Sequence, residues 1–529
     1  MEIDPSHLPK DPDALQRMVV GLVEQLAEQQ RELRQVQHLL EQLLRWRYGQ
    51  KRERVDENQL FLFAASIIGR IVPPADSTPP ETAPSTAPVP ATPPVPRKGH
   101  GRQHLPPSLE RRRVVYDLGE HERRCPHCQS ALRPIGEEIS ERLEYVPASC
   151  HVVEEACRKY ACPRGCTVVT ASKPAAPIEK GLAGPGLLAH IAVSKFGDHL
   201  PLHRQEGILQ RQGVELSRKT MCDWMRQCAE LVSPLYERMK QRVLSSKVLQ
   251  TDDTPVAVLD PALPRTRTGR IWTYVGSPDH PYAVYDYTPN RSRDGPDAFL
   301  QDFRGFLQAD AYSGYDHLYQ DAERGVVEVA CWAHARRRFY EAQSSDVMRS
   351  TVMLAYIRLL YDVEREARDR KLSGDERRSL RQARSLPILG DIRTYLETER
   401  PNVLPKSPGG QAIAYTLSNW NALVRYCTNG DLAIDNNRAE RSLRGIVVGR
   451  KNWMFYGSDR GGCTAAVLTS LVASCKGLRI DPFAYLRDVF ERISSYPKSQ
   501  LDELLPDKWM LARRCAPIGD ISTEATLME

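Results

Sequence analysis

The sequence predicts a multidomain α/β protein, and three observations carry that reading. The chain has 529 residues, more than one hydrophobic core of ordinary size holds. Its apolar periodicity changes along the way, from helical steps near the N-terminus to short β-rich runs after Lys247 and then back to helical steps. Between them lies PPADSTPPETAPSTAPVPATPPVP, residues 73 to 96, with almost no large apolar side chain and many prolines that donate no backbone hydrogen bond.

In chain order, the first element is a coiled-coil helix over residues 13–48. Leu15, Val19, Leu22, Leu26, Leu33, Val36, Leu40 and Leu43 repeat at steps of three and four, and Gln29 holds the polar seam position. A polar seam residue restricts register, which favours a defined pairing of protomers, at least a dimer; the alternative is an amphipathic helix docked on its own chain. A disordered linker spans 73–103 and ends in the basic run Arg97-Lys98-Gly99-His100-Gly101-Arg102.

A small β domain over 104–175 follows. Cys125-Pro-His-Cys128 and Cys162-Pro-Arg-Gly-Cys166 give four thiolates in two close pairs. Tetrahedral zinc takes such pairs, each on a tight turn that presents two sulfurs about 2.3 Å from one ion. His127, Cys150 and Cys157 are the spare ligands. Residues 180–240 read as three helical stretches. The last opens at Ser217, whose hydroxyl can cap the amides of Arg218, Lys219 and Thr220, and Arg211-Gln212-Gly213 makes a turn before it. That is a helix-turn-helix pattern with its second helix at Arg218 to Ala229; a plain helical connector is the competing reading.

Residues 245–460 change character. VLQTDDTPVAVL, RIWTYVGS and YAVYDYT read as three adjacent antiparallel strands. A short helical interval near Pro296 to Phe303, the strands GFLQADAY and VVEVACWA, and a helical insertion over 336–430 come next, and a helical region over 461–529 closes the chain. Three strands, then two more with helices between, is the ribonuclease-H-like order, in which the first and fourth strands lie side by side. Asp252 and Asp310 then converge, and Glu440 joins them from a helix that Asn436 or Asn437 can cap. Three clustered carboxylates repel one another unless cations sit between them. Hard oxygen ligands suit two magnesium ions roughly 3.5–4 Å apart, which stabilise both oxygens of an in-line phosphodiester displacement. Asp253 rivals Asp252, since adjacent strand residues face opposite sides, and Asp431 and Asp435 rival Glu440.

The formal charge is +6, from 73 basic and 67 acidic residues, so affinity for a polyanion must come from local clusters. Arg336, Arg337 and Arg338 form one, and Arg438, Arg441, Arg444, Arg450 and Lys451 another, both suited to positioning phosphates. Salt bridges to neighbouring acids are the plainer use of any one of them. Cys331 and His334 alone make a poor metal site. No run of 18 apolar residues and no signal-peptide pattern occurs, and most of the 13 cysteines are scattered singly, which predicts a cytoplasmic protein in a reducing compartment.

Long motifs across nearly the whole chain carry a resemblance: RKGHGRQHLP, CPHCQSALRPIGEEISERLEYVPA, DHLPLHRQEGILQRQGVELSRKTMCDW, TDDTPV, GRIWTYVG, LQADAYSGYD, CWAHARRRF and DNNRAERSLRGIVVGRKNWMFYGS. In these the chain resembles transposases of the insertion-sequence 66 family, of the DDE type. The resemblance implies a leucine-zipper-like helix, a zinc segment, a helical DNA-binding segment and a catalytic domain. It selects Asp252 over Asp253, Asp310 as second acid and Glu440 as third, and it sets Cys331 and His334 beside the Cys-x-x-His feature found after the second acid in several such enzymes. It implies two magnesium ions, for which manganese can substitute, structural zinc, terminal inverted repeats and target DNA as partners, small accessory proteins, and association with the nucleoid. Two other classes compete: a zinc-containing DNA-binding regulator, and a ribonuclease-H-like nuclease that cuts without joining.

Overall fold

The computed structural model describes residues 181–515, the short stretches 150–154, 157–161, 168–170 and 175–179, and positions 11 and 21. The expected coiled coil, except for position 21, the linker and the four zinc cysteines lie outside the described residues. The chain divides into two units, residues 74–155 and the remainder, and everything below belongs to the second. Its first described strands, β1 (Lys159–Ala161) and β2 (Val168–Thr170), pair antiparallel.

Three helices lead into the main sheet: α1 (Pro185–Ala192), continued by a π turn over Val193–Gly197, α2 (Leu202–Arg211) and α3 (Arg218–Leu244). Ser217 caps α3 as the sequence implies, its hydroxyl accepting from the Thr220 amide. The helix does not stop near Ala229. It runs on through Pro234, because Val232, Leu235, Tyr236, Met239 and Val243 continue the apolar stripe and are buried.

The six-stranded sheet is built from β3 (Val248–Val258), β4 (Arg267–Val275), β5 (Ala283–Thr288), β6 (Gly305–Gln308), β7 (Val326–Val329) and β8 (Phe455–Tyr456). Its order is β5-β4-β3-β6-β7, with β8 also on β3. The first three strands are antiparallel, while β6, β7 and β8 run parallel to their partners. Gly305 starts β6 at φ 127°, where a Cβ would come within 2.6 Å of the Lys247 carbonyl, so only glycine lets the two strands begin together.

One side of β3 has a gap. Pairing with β6 covers Val248 to Gln250 and pairing with β8 covers Ala257 and Val258, leaving 251 to 256 without a strand on that side. Pro255 sits within it, a residue tolerated in a strand where no ladder hydrogen bond is required of its nitrogen.

Short helices α4 (Asp294–Phe299) and α5 (Asp316–Gln320) link the later strands. After β7 the chain turns helical: α6 (Trp332–Ala342), α7 (Val347–Asp369), α8 (Gly374–Glu399), α9 (Pro408–Ser418) and α10 (Trp420–Val424). These share a core of their own, in which Trp332, Phe339, Ile357, Leu360, Ile392 and Leu423 are buried. The chain then returns to the sheet as α11 (Asn437–Trp453), followed by α12 (Asp459–Gly477), α13 (Pro482–Arg492) and α14 (Pro506–Cys515). Helix α12 covers the sheet edge: Ser470 and Ser474 accept hydrogen bonds from the outward amides of Tyr285 and Ala283 on β5. Helix α11 packs Leu443 and Ile446 on Val256, Val258 and Ile271.

Candidate functional site

The register of two parallel strands sets the first two acids level. Gln250 pairs with Gln308, and their side chains hydrogen-bond at 2.8 Å on one face of the sheet. Two residues further along β3, on the same face by the two-residue period, stands Asp252, and two residues beyond Gln308 comes Asp310. Strand β6 ends at Gln308, shorter than the sequence implies, and Asp310 lies on the turn beyond it. Ala311 holds φ 61°, a left-handed conformation that a non-glycine residue keeps only under constraint. Part of that constraint is Tyr415, whose hydroxyl donates to the Asp310 carbonyl at 3.2 Å.

Helix α11 brings Glu440 across the gap in β3, and its side chains satisfy the strand there. Asn436 donates to the Thr251 carbonyl at 3.2 Å and Arg450 to the Pro255 carbonyl at 2.6 Å. Ser442 pairs with Thr273 at 2.9 Å, and Arg438 donates to the Gly276 carbonyl. Asn436 is the N-cap residue, yet its side chain makes no capping bond because the strand takes it; the Asn437 amide finds Asp435 instead. The cap pattern therefore located the helix start correctly while hiding the fastening role of Asn436.

Burial pushes the Asp252 carboxyl up to about 7, with the charges of Asp310, Glu440 and Asp253 adding to the rise and the Asp253 amide opposing it. Three acids far apart in sequence thus share one electrostatic environment. The rivals are otherwise engaged: Asp253 is nearly buried between Arg270 and Arg291, each 2.8 Å away, and Asp435 accepts from Tyr361 and Asn437. Asp431 is exposed. Arg291 also approaches Asp310 at 3.9 Å, a cation at the rim of the acids that sequence patterns did not single out, since it lies in a loop with no motif around it.

Cys331 ends the segment after β7 and His334 stands in the first turn of α6, and both meet Glu440, with His334 Nδ1 3.7 Å from its carboxylate. The Cys331 sulfur is buried and accepts from the Asn436 amide at 3.4 Å. Burial pushes this thiol up to about 12.

The arginine clusters divide. Arg441, Arg444 and Lys451 are exposed on α11 and make no ion pair among the described residues, whereas Arg450 is engaged by β3 through Pro255 and Thr254. On α6, Arg337 is exposed, Arg336 is half-buried and Arg338 lies 4.0 Å over the Tyr415 ring. Arg218, Lys219 and Thr220 open α3, the first two exposed, and the Arg218 amide donates to Glu206 on α2.

The chain is similar to known proteins along most of its length. The chain matches the "Transposase IS66 family" over residues 180–464, more than half its length, and the "IS66 C-terminal element" over 470–506. Residues 122–166 match the "zinc-finger binding domain of transposase IS66", a stretch that contains Cys125, Cys128, Cys162 and Cys166 and supports structural zinc. Residues 35–114 match a segment described as "Transposase C of IS166 homeodomain". Among relatives, the uncharacterized protein y4hP of Sinorhizobium fredii is 34% identical over 79% of this chain and 78% of its own. The uncharacterized protein y4jD of the same organism is 35% identical over 77% of this chain and 81% of its own. No described helix is long and apolar enough to cross a membrane. With its acids gathered over the gap in β3 and these matches along its length, the chain belongs to the IS66 family of transposases.

Proposed function

We propose that the chain is a DDE-type transposase whose sheet is ribonuclease-H-like and whose Asp252, Asp310 and Glu440 are the catalytic acids. The observation that carries this reading is the convergence of those three carboxylates, Asp252 from β3, Asp310 from the turn just beyond β6 and Glu440 from α11, with Asp252 raised by burial and by its two neighbours. The strand order, three antiparallel and two parallel with the central pair β3 and β6, supports the fold assignment.

An all-oxygen, triply acidic donor set fits hard divalent cations and relieves the mutual repulsion of its members. Two magnesium ions held by Asp252, Asp310 and Glu440 would supply charge stabilisation for the attacking and leaving oxygens of an in-line displacement. The protein's own residues do the rest. Tyr415 and the constrained Ala311 fix Asp310, and Asn436, Ser442 and Arg450 fix the helix that carries Glu440. Arg441, Arg444 and Lys451 hold phosphates along the exposed face of α11, Arg336, Arg337 and Arg338 support them from α6, and Arg218, Lys219 and Thr220 present α3 to DNA in helix-turn-helix fashion. Water is the nucleophile at the element end, and the freed 3′-hydroxyl then attacks target DNA at the same three acids, with no covalent protein–DNA intermediate. A coiled coil over 13–48 pairs protomers, and Cys125, Cys128, Cys162 and Cys166 hold zinc.

Asp310→Ala in magnesium, on a labelled duplex carrying the element's terminal repeat, is expected to bind DNA while neither nicking nor joining it. Retained strand transfer would overturn the assignment. A wild-type chain that shifts the duplex in a gel but leaves it uncut would be a regulator, and one that cuts without strand-transfer products would be a plain nuclease.

A further inference from the structure

We propose that Cys331, His334 and Glu440 form a second cation site, for a thiophilic divalent ion of the zinc or cadmium class, which competes with the hard-oxygen site for the Glu440 carboxylate. One ligand atom from each of the three lies within 4.8 Å of the other two. A tetrahedral ion with bonds of about 2.0–2.3 Å sets neighbouring ligand atoms roughly 3.3–3.6 Å apart, so the 3.7 Å between His334 Nδ1 and Glu440 is just wider than an ion requires, and the sulfur, within 4.8 Å of both, needs a closure of about 1 Å at most.

The histidine supplies an independent sign. Its Nδ1 is buried and has no hydrogen-bond partner, although it stands beside a carboxylate. Buried polar atoms are rarely left so, and a nitrogen aimed at a carboxylate and a thiol without bonding either is placed as a ligand is placed. On the other side of the sulfur, the Asn436 amide donates at 3.4 Å, the kind of contact that steadies a metal-bound thiolate. Sulfur and imidazole select against magnesium and for softer ions. With His334 and Glu440 partly exposed, the fourth coordination position opens to solvent. Binding exchanges the thiol proton for the ion, and the proton leaves to the buffer.

The three ligands come from the segment after β7, the first turn of α6 and the first turn of α11, so an ion there draws Glu440 toward the insertion and away from Asp252. Occupancy by zinc therefore inhibits the enzyme. The binding claim stands on the geometry alone; the inhibition rests on the assignment of Glu440 above.

The test uses the full chain carrying one zinc equivalent, titrated with cadmium alone and followed by thiolate-to-cadmium ultraviolet absorption. Wild type should bind one cadmium equivalent more than Cys331→Ser, and His334→Gln, on a partly exposed residue, should bind it at least about tenfold more weakly. Circular dichroism checks that each variant is folded. Equal stoichiometry in wild type and folded Cys331→Ser, or unchanged affinity in His334→Gln, overturns the site. In magnesium-dependent cleavage, zinc should slow the wild type relative to its own zinc-free rate and slow Cys331→Ser less; equal slowing overturns the competition. A wild type that binds the extra cadmium but cleaves nothing in magnesium would refute the catalytic assignment and leave this site standing.

Discussion

Asp252 and Asp253 have the same side chain one residue apart, and what separates them is which face of β3 each occupies. Composition left that open, because a strand's two faces are equivalent until a neighbour fixes the register; the pairing of Gln250 with Gln308 supplies it. Glu440→Gln is therefore expected to abolish cleavage with DNA binding retained, while Asp253→Asn, which loosens Arg270 and Arg291, should lower activity without abolishing it. Parallel cleavage and gel-shift assays decide, and the reverse ranking would move the site to the other face. A different acid is informative for stability. Asp286 on β5 is pushed up to about 6 by burial, with Lys240 pulling the other way. A carboxyl raised in the folded state holds its proton there between the unfolded value near 3.8 and about 6, so folding stability falls as pH rises through that window and stays lower above it. Asp286→Asn removes the ionisation, and denaturant melts should show it more stable than wild type at pH 8 by about 1–3 kcal/mol and nearly equal at about pH 4. A variant less stable at both values would show that the Asp286 carboxylate is favourably paired.

Elements were legible where one force dominated. Alternating apolar residues marked the strands, and the Ser217 cap marked the start of α3. The end of α3 was not legible, because tertiary burial of Leu235, Tyr236, Met239 and Val243 outweighs the local preference of Pro234. Nor was the gap in β3, which depends on where two other strands stop and on α11 side chains reaching the vacated carbonyls. The insertion between β7 and α11 has a comparable fastening. Arg381 on α8 is 1% exposed, forms a bidentate pair with Glu364 on α7, and donates to the carbonyls of Tyr426, Asn429 and Leu432. Those carbonyls belong to the segment that leads into α11, so one guanidinium ties the insertion to the helix bearing Glu440. Arg381→Met leaves a mostly buried carboxylate and three carbonyls unpaired, and it should destabilise the fold by about 3–5 kcal/mol in urea melts. A loss below about 1 kcal/mol would mean water replaces the arginine and the insertion is fastened elsewhere.

For the molecule as a whole, charge distribution matters more than total charge. With 73 basic residues nearly matched by 67 acidic ones, a surface cation that pairs locally, as Arg226 does with Asp223 and Glu230, contributes little to holding a polyanion. Helix α11 is different. Glu440, Arg444 and Lys451 lie within roughly 40° of one another around its axis, at rises of about 6 and 16 Å beyond the acid, with Arg441 at the flank. Exposed cations in line with a catalytic carboxylate form a track along which a strand's phosphates can be seated as they approach the acids. Neutralising a phosphate releases its counterions, so the slope of log affinity against log salt on duplex DNA should shrink by about 0.9 for every phosphate that no longer meets a cation. The triple variant Arg441→Ala, Arg444→Ala, Lys451→Ala should thus flatten the slope by roughly 2.7 and weaken binding alike on terminal-repeat and unrelated sequences, since phosphates carry no base identity. Arg393→Ala, which removes a cation already paired with Glu397 on the insertion, should leave the slope unchanged. Fluorescence anisotropy across a salt series reads both quantities. An unchanged slope in the triple variant would mean that DNA reaches the acids along another face, and a weakening confined to the terminal repeat would mean that α11 reads bases.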